Sequence, residues 1–192
     1  MKELKQLQTD AVALLERLVA TPSVSRDEAC TADLLAEYLA SYGIAAERLH
    51  NNIYARATHF DAAKPTLLLN SHHDTVRPSA TWTRDPFTPT WEEGRLYGLG
   101  ANDAGGSVAA LTAAFRYYYD TELPFNLLLA LSGEEECMGE QGTRALLSVL
   151  GPVDMALVGE PTQMRAAVGE RGLLVLDCTA HGRAGHAARD EG

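Results

Sequence analysis

The chain has 192 residues, of which 46% are hydrophobic and 22% are charged, and this composition is typical of an ordinary globular protein. Its formal net charge of −10 argues against nucleic acid or an anionic membrane surface as a partner. The three cysteines are far apart, which excludes a disulfide framework and favours a reducing compartment. The sequence shows neither an apolar signal region nor a run of about 18 apolar residues, so we expect a soluble, cytoplasmic protein.

Hydrophobic periodicity and turn residues divide the chain into helices and strands. In chain order these are helices over 5–20 and 26–42, strands over 44–49 and 53–58 joined by a turn at Asn51-Asn52, a buried strand over 66–71, a hairpin over 90–96, a helix over 107–119, a strand over 125–131, a helix over 142–150, and strands over 155–158 and 173–180. This alternation predicts a doubly wound α/β sheet over residues 1–172. Residues 173–192 are predicted to begin a smaller domain that is truncated here.

The buried strand over 66–71 runs directly into two histidines and an aspartate. Because side chains at i and i+2 of a strand point to the same side, His72 and Asp74 share a face. A histidine that can bind a metal, with a carboxylate placed to orient it, is a recurrent arrangement in metal sites. His73 points the other way and is predicted to be a surface or strand-end residue without a role.

Carboxylates follow the other predicted strands and turns, at Asp103, at Glu134-Glu135-Glu136 and at Glu160. The carboxyl ends of the strands in a doubly wound sheet meet at one edge, where ligands bind. So many carboxylates at one edge would repel each other unless cations neutralise them, and two divalent ions about 3.5–4 Å apart would do so. Imidazole and carboxylate ligands together point to zinc, or to cobalt or manganese, and such sites hydrolyse amides or peptides.

Five motifs recur here in the order of a known family: His72-x-Asp74, Asp103 in a glycine-rich turn, Glu135-Glu136 before Gly139 and Gly142, Gly159-Glu160-Pro161-Thr162, and Gly185-His186-Ala187. The chain resembles the co-catalytic zinc amidohydrolases that include aminoacylase, carboxypeptidase G, succinyl-diaminopimelate desuccinylase and acetylornithine deacetylase. The resemblance implies a zinc-peptidase-like catalytic domain followed by a smaller α+β dimerisation or lid domain. The runs 69–76 and 172–192 are most similar to the acetylornithine deacetylase branch, which implies hydrolysis of N-acetylornithine. A succinyl-diaminopimelate desuccinylase, dipeptidase or carboxypeptidase is the alternative.

The resemblance also implies roles for individual residues. His72 and Glu160 would bind one zinc ion and Glu136 the second, with cobalt as a substitute. Asp103 would bridge the two ions, with a cis peptide bond to Ala104. The catalytic residues would be Asp74, which orients His72, Glu135, which acts as the general base, and His186. His186 would reach the active site of a partner subunit and stabilise the oxyanion, which implies a homodimer.

Other interpretations remain open. Three consecutive glutamates also allow Glu134 as the base and Glu135 as the ligand, although the distance to the turn at Gly142 favours Glu135 and Glu136. Glycines over 98–106 would suit a nucleotide-binding domain, but their spacing is not G-x-G-x-x-G and Asp103 has the wrong charge for a phosphate. A non-catalytic metal-binding relative is a third class, against which the intact base argues.

Overall fold

A computed structural model describes residues 2–169, 171, 172, 174, 176, 178 and 179 of the chain. The helices and strands found among them are α1 (Lys2–Val19), α2 (Ala29–Ser41), β1 (Ala46–Leu49), β2 (Asn52–Arg56), β3 (Thr66–His72), β4 (Thr90–Glu92), β5 (Arg95–Tyr97), α3 (Gly106–Tyr118), β6 (Asn126–Ser132), α4 (Thr143–Leu150) and β7 (Met155–Val158). All of them lie in a compact unit that spans Met1–Pro161, and a second unit begins at Thr162. The predicted boundary at residue 172 stays a prediction.

Five strands form one mixed sheet in the order β1-β2-β6-β3-β7, and β4 pairs with β5 in a separate hairpin. Strand β3 lies parallel to β6 on one side and to β7 on the other, whereas β2 is antiparallel to β6. Strand β6 is buried along its whole length, as expected for a strand covered on both faces. Because β3, β6 and β7 are parallel, their carboxyl ends meet at the same edge of the sheet.

Helices cover both faces of this sheet. Leucines of α1 and α2 and Phe115 of α3 pack against alternate residues of β6, among them Leu129 and Leu131. On the opposite face Leu146 of α4 packs against Leu128 and its neighbours. The predicted doubly wound α/β fold is therefore confirmed. In the described part of the chain, no helix is both long and apolar enough to cross a bilayer.

The hairpin turn differs from its prediction by one residue. Leu49 pairs with Asn52, so the turn consists of His50 and Asn51, not of Asn51 and Asn52. His50 adopts a left-handed conformation with φ of 55°, which the sequence pattern did not signal because asparagine is the more usual residue there. The second helix begins at Ala29, three residues after its predicted start. The strand predicted over 173–180 lies partly outside the described residues.

A pair of charges joins α1 to α3 and should make stability depend on pH. Oδ2 of Asp10 lies 3.0 Å from a guanidinium nitrogen of Arg116. A hydrogen bond from Gln6 and the Arg116 charge lower the pKa of Asp10, although burial opposes them. A lowered folded-state pKa stabilises the fold above the unfolded value of about 3.9, and this contribution is lost as pH falls through the folded value.

We therefore expect Asp10→Asn to cost about 1 kcal/mol or less of unfolding free energy at pH 7, as partly exposed ion pairs do. Below about pH 4 the difference from the wild type should shrink, because both proteins then carry a neutral side chain at this position. Urea denaturation from pH 2.5 to 7 measures the two curves. If the unfolding free energies of the two proteins differ by the same amount from pH 7 down to pH 2.5, the pKa of Asp10 is not lowered in the folded state.

Candidate metal centre

His72 ends β3 with its ring buried at the carboxyl edge of the sheet, where only 1% of its side chain is exposed. Its Nδ1 lies 3.0 Å from the backbone oxygen of Asp74 and 3.4 Å from the Asp74 carboxylate. A carbonyl oxygen only accepts hydrogen bonds, so Nδ1 carries the proton and Nε2 is left with the lone pair that binds a metal. The predicted pairing of His72 with Asp74 therefore exists, and the main-chain oxygen is the nearer partner.

Three carboxylates from three different segments surround Nε2 of His72. Oδ1 of Asp103 lies at 3.2 Å, Oε2 of Glu160 at 3.7 Å and Oε2 of Glu135 at 3.8 Å. Donor atoms of His72, Asp103 and Glu160 all lie within 4.8 Å of one another. One imidazole and two carboxylates within this span are ligands that suit a divalent ion such as zinc. These residues fit a bound metal ion.

The acids change the protonation of their neighbours. Burial alone would lower the pKa of His72, but the carboxylates of Asp74 and Glu160 outweigh it and raise that pKa to about 11. Burial also raises the pKa of Glu135, helped by the negative charges of Glu160, Asp74 and Asp103 and opposed by His72. The acids thus favour a positive charge at Nε2, either a proton or a metal ion that replaces it, and they give Glu135 a stronger affinity for protons than an ordinary glutamate has.

Asp103 is presented by a wide turn at Ala101–Gly105, and its peptide bond to Ala104 is cis, as the resemblance implies. Two glycines allow this turn to close. Gly100 has φ of 74°, and a Cβ there would lie 2.6 Å from Thr75 Cγ2, while a Cβ on Gly105 would lie 2.7 Å from the Gly100 oxygen. Close packing around Asp103 therefore accounts for these glycines, which the nucleotide-binding alternative had assigned to phosphate contacts.

The Asp74 carboxylate is fully buried and accepts hydrogen bonds from the loop after β6, residues 133–142. It accepts a hydrogen bond from Ser25 Oγ at 2.7 Å and from the backbone N–H groups of Glu135 and Glu136, each at 3.1 Å. Burial would raise the pKa of Asp74, but the hydrogen bonds from His72, Ser25 and these amides outweigh it and lower the pKa. Asp74 is therefore ionised and contacts both the ring of His72 and the backbone that carries Glu135.

The side chains of the three consecutive glutamates lie in different surroundings. The Glu134 carboxylate accepts a hydrogen bond from Gln141 N at 3.1 Å, within its own loop, whereas the Glu135 carboxylate lies beside His72. The structure does not bring the Glu136 carboxylate among the donor atoms grouped around His72, although burial and the Asp103 charge raise its pKa. His186 lies outside the described residues, so its role stays a prediction.

His73 directly follows β3, at the strand end as predicted, but it does not lie on the surface. Its side chain is buried, and its ring contacts Thr31 Oγ1 at 2.9 Å and Asn51 O at 2.9 Å. Burial lowers its pKa, against a hydrogen bond to Asn51, so the ring is neutral. Sequence reasoning also missed Glu28 and Asn52, which are buried behind the loop after β6 and carry no motif that would signal them.

Residues 68–173 match the profile of Peptidase family M20/M25/M40, which is more than half of the chain. The chain belongs to this family. The matched segment contains His72, Asp103, Glu135 and Glu160, the residues that the fold brings together. No preference for the acetylornithine deacetylase branch emerges from this match, because the profile describes the family as a whole.

Two curated relatives of this M20 chain share one name. Succinyl-diaminopimelate desuccinylase of Delftia acidovorans is 33% identical over 196 residues, which cover 91% of this chain and 51% of the relative. The protein of that name from Paracoccus denitrificans is 36% identical over 196 residues, covering 93% of this chain and 51% of the relative. The chain thus spans about half the length of the curated relatives it matches.

Several solved structures share the fold of this chain. Human carnosine dipeptidase 1 matches with a TM-score of 0.65 and 24% identity over 83% of this chain and 40% of that one. An M20 metallo-carboxypeptidase from Sulfolobus solfataricus gives 0.64 and 27% over 78% and 37%. YxeP of Bacillus subtilis, described as a dinuclear metal-binding peptidase, gives 0.62 and 19% over 80% and 43%.

Proposed function

We propose that the protein is a metal-dependent amide hydrolase that removes the acyl group from an N-acyl amino acid. The observation that carries the proposal is the arrangement around Nε2 of His72, where Asp103, Glu160 and Glu135 converge within 3.8 Å. Two of these carboxylates complete a ligand set with the imidazole. The third is left beside the ligands, where a general base is needed.

Each residue of the centre has its own role in the proposed reaction. His72, Asp103 and Glu160 hold the metal ion, and the chemistry that such an ion supplies is Lewis-acid polarisation of an amide carbonyl. Glu135 takes a proton from the attacking water and delivers it to the leaving amine. Its place beside the ligands suits this task, because a general base must lie within reach of the proton that it takes up. About half of its side chain is exposed, so substrate can reach it.

The finer features of the centre are part of the proposal. We assign two zinc ions per subunit, with cobalt as a substitute, Asp103 as the bridging ligand and Glu136 as a ligand of the second ion. His186 would act in the active site of a partner subunit, so the working form is a homodimer. The mixed imidazole and carboxylate donors support zinc over magnesium, which prefers oxygen ligands alone.

The relatives support the proposed substrate class. Those compared above are succinyl-diaminopimelate desuccinylases at 33% and 36% identity. We therefore favour an N-succinyl amino acid as substrate over the N-acetylornithine that the sequence motifs predict. A peptide is the second candidate, because the metallo-carboxypeptidase from Sulfolobus solfataricus is 27% identical and carries the same fold.

The test is a kinetic comparison of the full-length protein, loaded with Zn²⁺, on N-succinyl-diaminopimelate, N-acetylornithine and a set of dipeptides. We expect kcat/KM on the succinyl substrate to exceed the others by about tenfold or more, a margin that a polar contact to one substrate group supplies. A preference for N-acetylornithine would restore the first expectation about the substrate. Failure to hydrolyse any amide would overturn the proposed function.

A further inference from the structure

Four consecutive backbone N–H groups in the loop after β6 donate hydrogen bonds to side chains from segments that are distant in sequence. Each accepting oxygen belongs to a different part of the fold from the loop itself. The pairs are Gly133 N with Asn52 Oδ1 at 3.0 Å, Glu134 N with Glu28 Oε1 at 3.2 Å, Glu135 N with Asp74 Oδ1 at 3.1 Å and Glu136 N with Asp74 Oδ2 at 3.1 Å. The backbone path at Glu135 is therefore set from outside the loop.

The three accepting side chains, which we call the acceptor trio, are Glu28, Asn52 and Asp74. Their exposed fractions are 0%, 1% and 0%. Buried carboxylates and amides are stable only when their hydrogen bonds are made, and water cannot take the place of a missing partner there. The loop amides therefore have these side chains as partners, and the side chains in turn depend on the loop.

Further hydrogen bonds fix two members of the trio in place. Glu28 also accepts from Arg26 N, and its Oε2 accepts from Asn51 Nδ2 at 2.9 Å. Asn52 donates from Nδ2 to Leu49 O at 2.8 Å and to Gln141 O at 2.6 Å. Arg26, Asn51 and Leu49 lie outside the loop, so both side chains are held independently of it.

The loop conformation itself requires such support. Glu134 has φ of 54°, in the left-handed region that residues with a Cβ rarely adopt. Its N–H group is the one that Glu28 holds. The next residue, Glu135, then directs its carboxylate to within 3.8 Å of His72 Nε2. A relaxed loop would carry this carboxylate away from the ligands.

We propose that Glu28 and Asn52 are positioning residues, which hold the loop amides so that the Glu135 carboxylate lies at the distance from His72 needed for proton transfer. The inference rests on the proposed function, because it assigns Glu135 the role of base. Neither residue is placed to touch the reacting atoms, since both are buried behind the loop. They act through the backbone of residues 133 and 134.

The first test compares Asn52→Ala with a matched variant in the neighbouring strand, at the start of β6. Asn126 is also buried and also holds a loop with its amide, through Asp61 N, Asp61 O and Lys64 O at 2.8, 2.8 and 3.0 Å. Both variants should lose similar thermal stability in the full-length protein. Only Asn52→Ala should lower kcat by about tenfold or more, with KM within about threefold, since small misplacements of a catalytic group cost that much.

The second test uses two variants of Glu28. Glu28→Gln keeps one carbonyl oxygen that accepts from Glu134 N and gives up only the hydrogen bond from Asn51 Nδ2, whereas Glu28→Ala removes every acceptor. We expect kcat of the Gln variant to stay within about threefold of the wild type and that of the Ala variant to fall about tenfold or more. Equal kcat values for the two variants would overturn the inference. If Glu28→Ala does not fold, the comparison of Asn52→Ala with Asn126→Ala decides.

A third measurement does not depend on turnover. Hydrogen exchange of the amides of residues 133–136 should be slow in the wild type and in Asn126→Ala, and should accelerate in Asn52→Ala. If the wild type hydrolyses no amide, the proposed function fails, and the exchange rates still decide whether the trio holds the loop. If the wild type is active and Asn52→Ala keeps the kcat of Asn126→Ala, the inference fails and the proposed function stands.

Discussion

Replacement of Glu135 by Gln is expected to lower kcat by about 10²–10⁴-fold, the usual contribution of a positioned general base. Glutamine keeps the size of the side chain but cannot take up the proton. Nothing in the ligand set of His72, Asp103 and Glu160 changes, so the metal content should stay at the wild-type level. Steady-state kinetics on the best substrate, together with metal analysis of the same preparation, measure both quantities.

Glu134→Gln is the matched control for this variant, because it makes the same chemical change one residue earlier. The Glu134 carboxylate accepts a hydrogen bond from Gln141 N, and a glutamine oxygen accepts it equally well. Its kcat should therefore stay within about threefold of the wild type, as for a surface substitution that keeps its hydrogen bond. If the large loss appears in Glu134→Gln instead, the base is Glu134 and the register of the loop moves by one residue.

Asp103→Ala is expected to remove bound metal and, with it, about 10³-fold or more of the activity. Oδ1 of Asp103 is the carboxylate oxygen nearest to Nε2 of His72, at 3.2 Å. Its loss leaves one imidazole and one carboxylate, which are too few ligands to hold a divalent ion against water. Metal analysis after dialysis against a metal-free buffer, followed by an activity assay with added Zn²⁺, measures both effects.

Glu140→Ala is the control for this second variant. It also removes one carboxylate, but Glu140 is an exposed residue paired with Arg144 at 2.6 Å and takes no part in the centre. Metal content and kcat of Glu140→Ala should equal those of the wild type. A wild-type level of bound metal in Asp103→Ala would refute the ligand set, because the ion would then have to be held elsewhere.

Much of this centre can be predicted from the sequence, because the signals are local. The apolar run before His72 predicts a buried strand, and parallel strands place their carboxyl ends at one edge. That geometry is enough to expect His72 and Glu160 near each other, although 88 residues separate them. The register of the three glutamates is harder, since it depends on the backbone conformation of Glu134 and not on periodicity.

Other parts of the centre depend on contacts between segments that are distant in sequence. Alternation along a strand correctly turns His73 away from His72, but it does not reveal that Thr31 and Asn51 cover that face. Glu28 looks like an ordinary acidic residue before a helix. It is buried because the turn after β1 and the loop after β6 both contact it. No local sequence pattern signals these contacts.

The position of the Asp74 carboxylate has a consequence for enzyme engineering. Because one side chain contacts both the ring of His72 and the backbone of Glu135 and Glu136, the ligand and the base share a single anchor. A substitution that shifts this anchor moves both partners at once, so its effects cannot be corrected at one site alone. Libraries designed to change substrate preference should therefore leave residues 72–74 and 133–136 unchanged and diversify the surrounding surface loops.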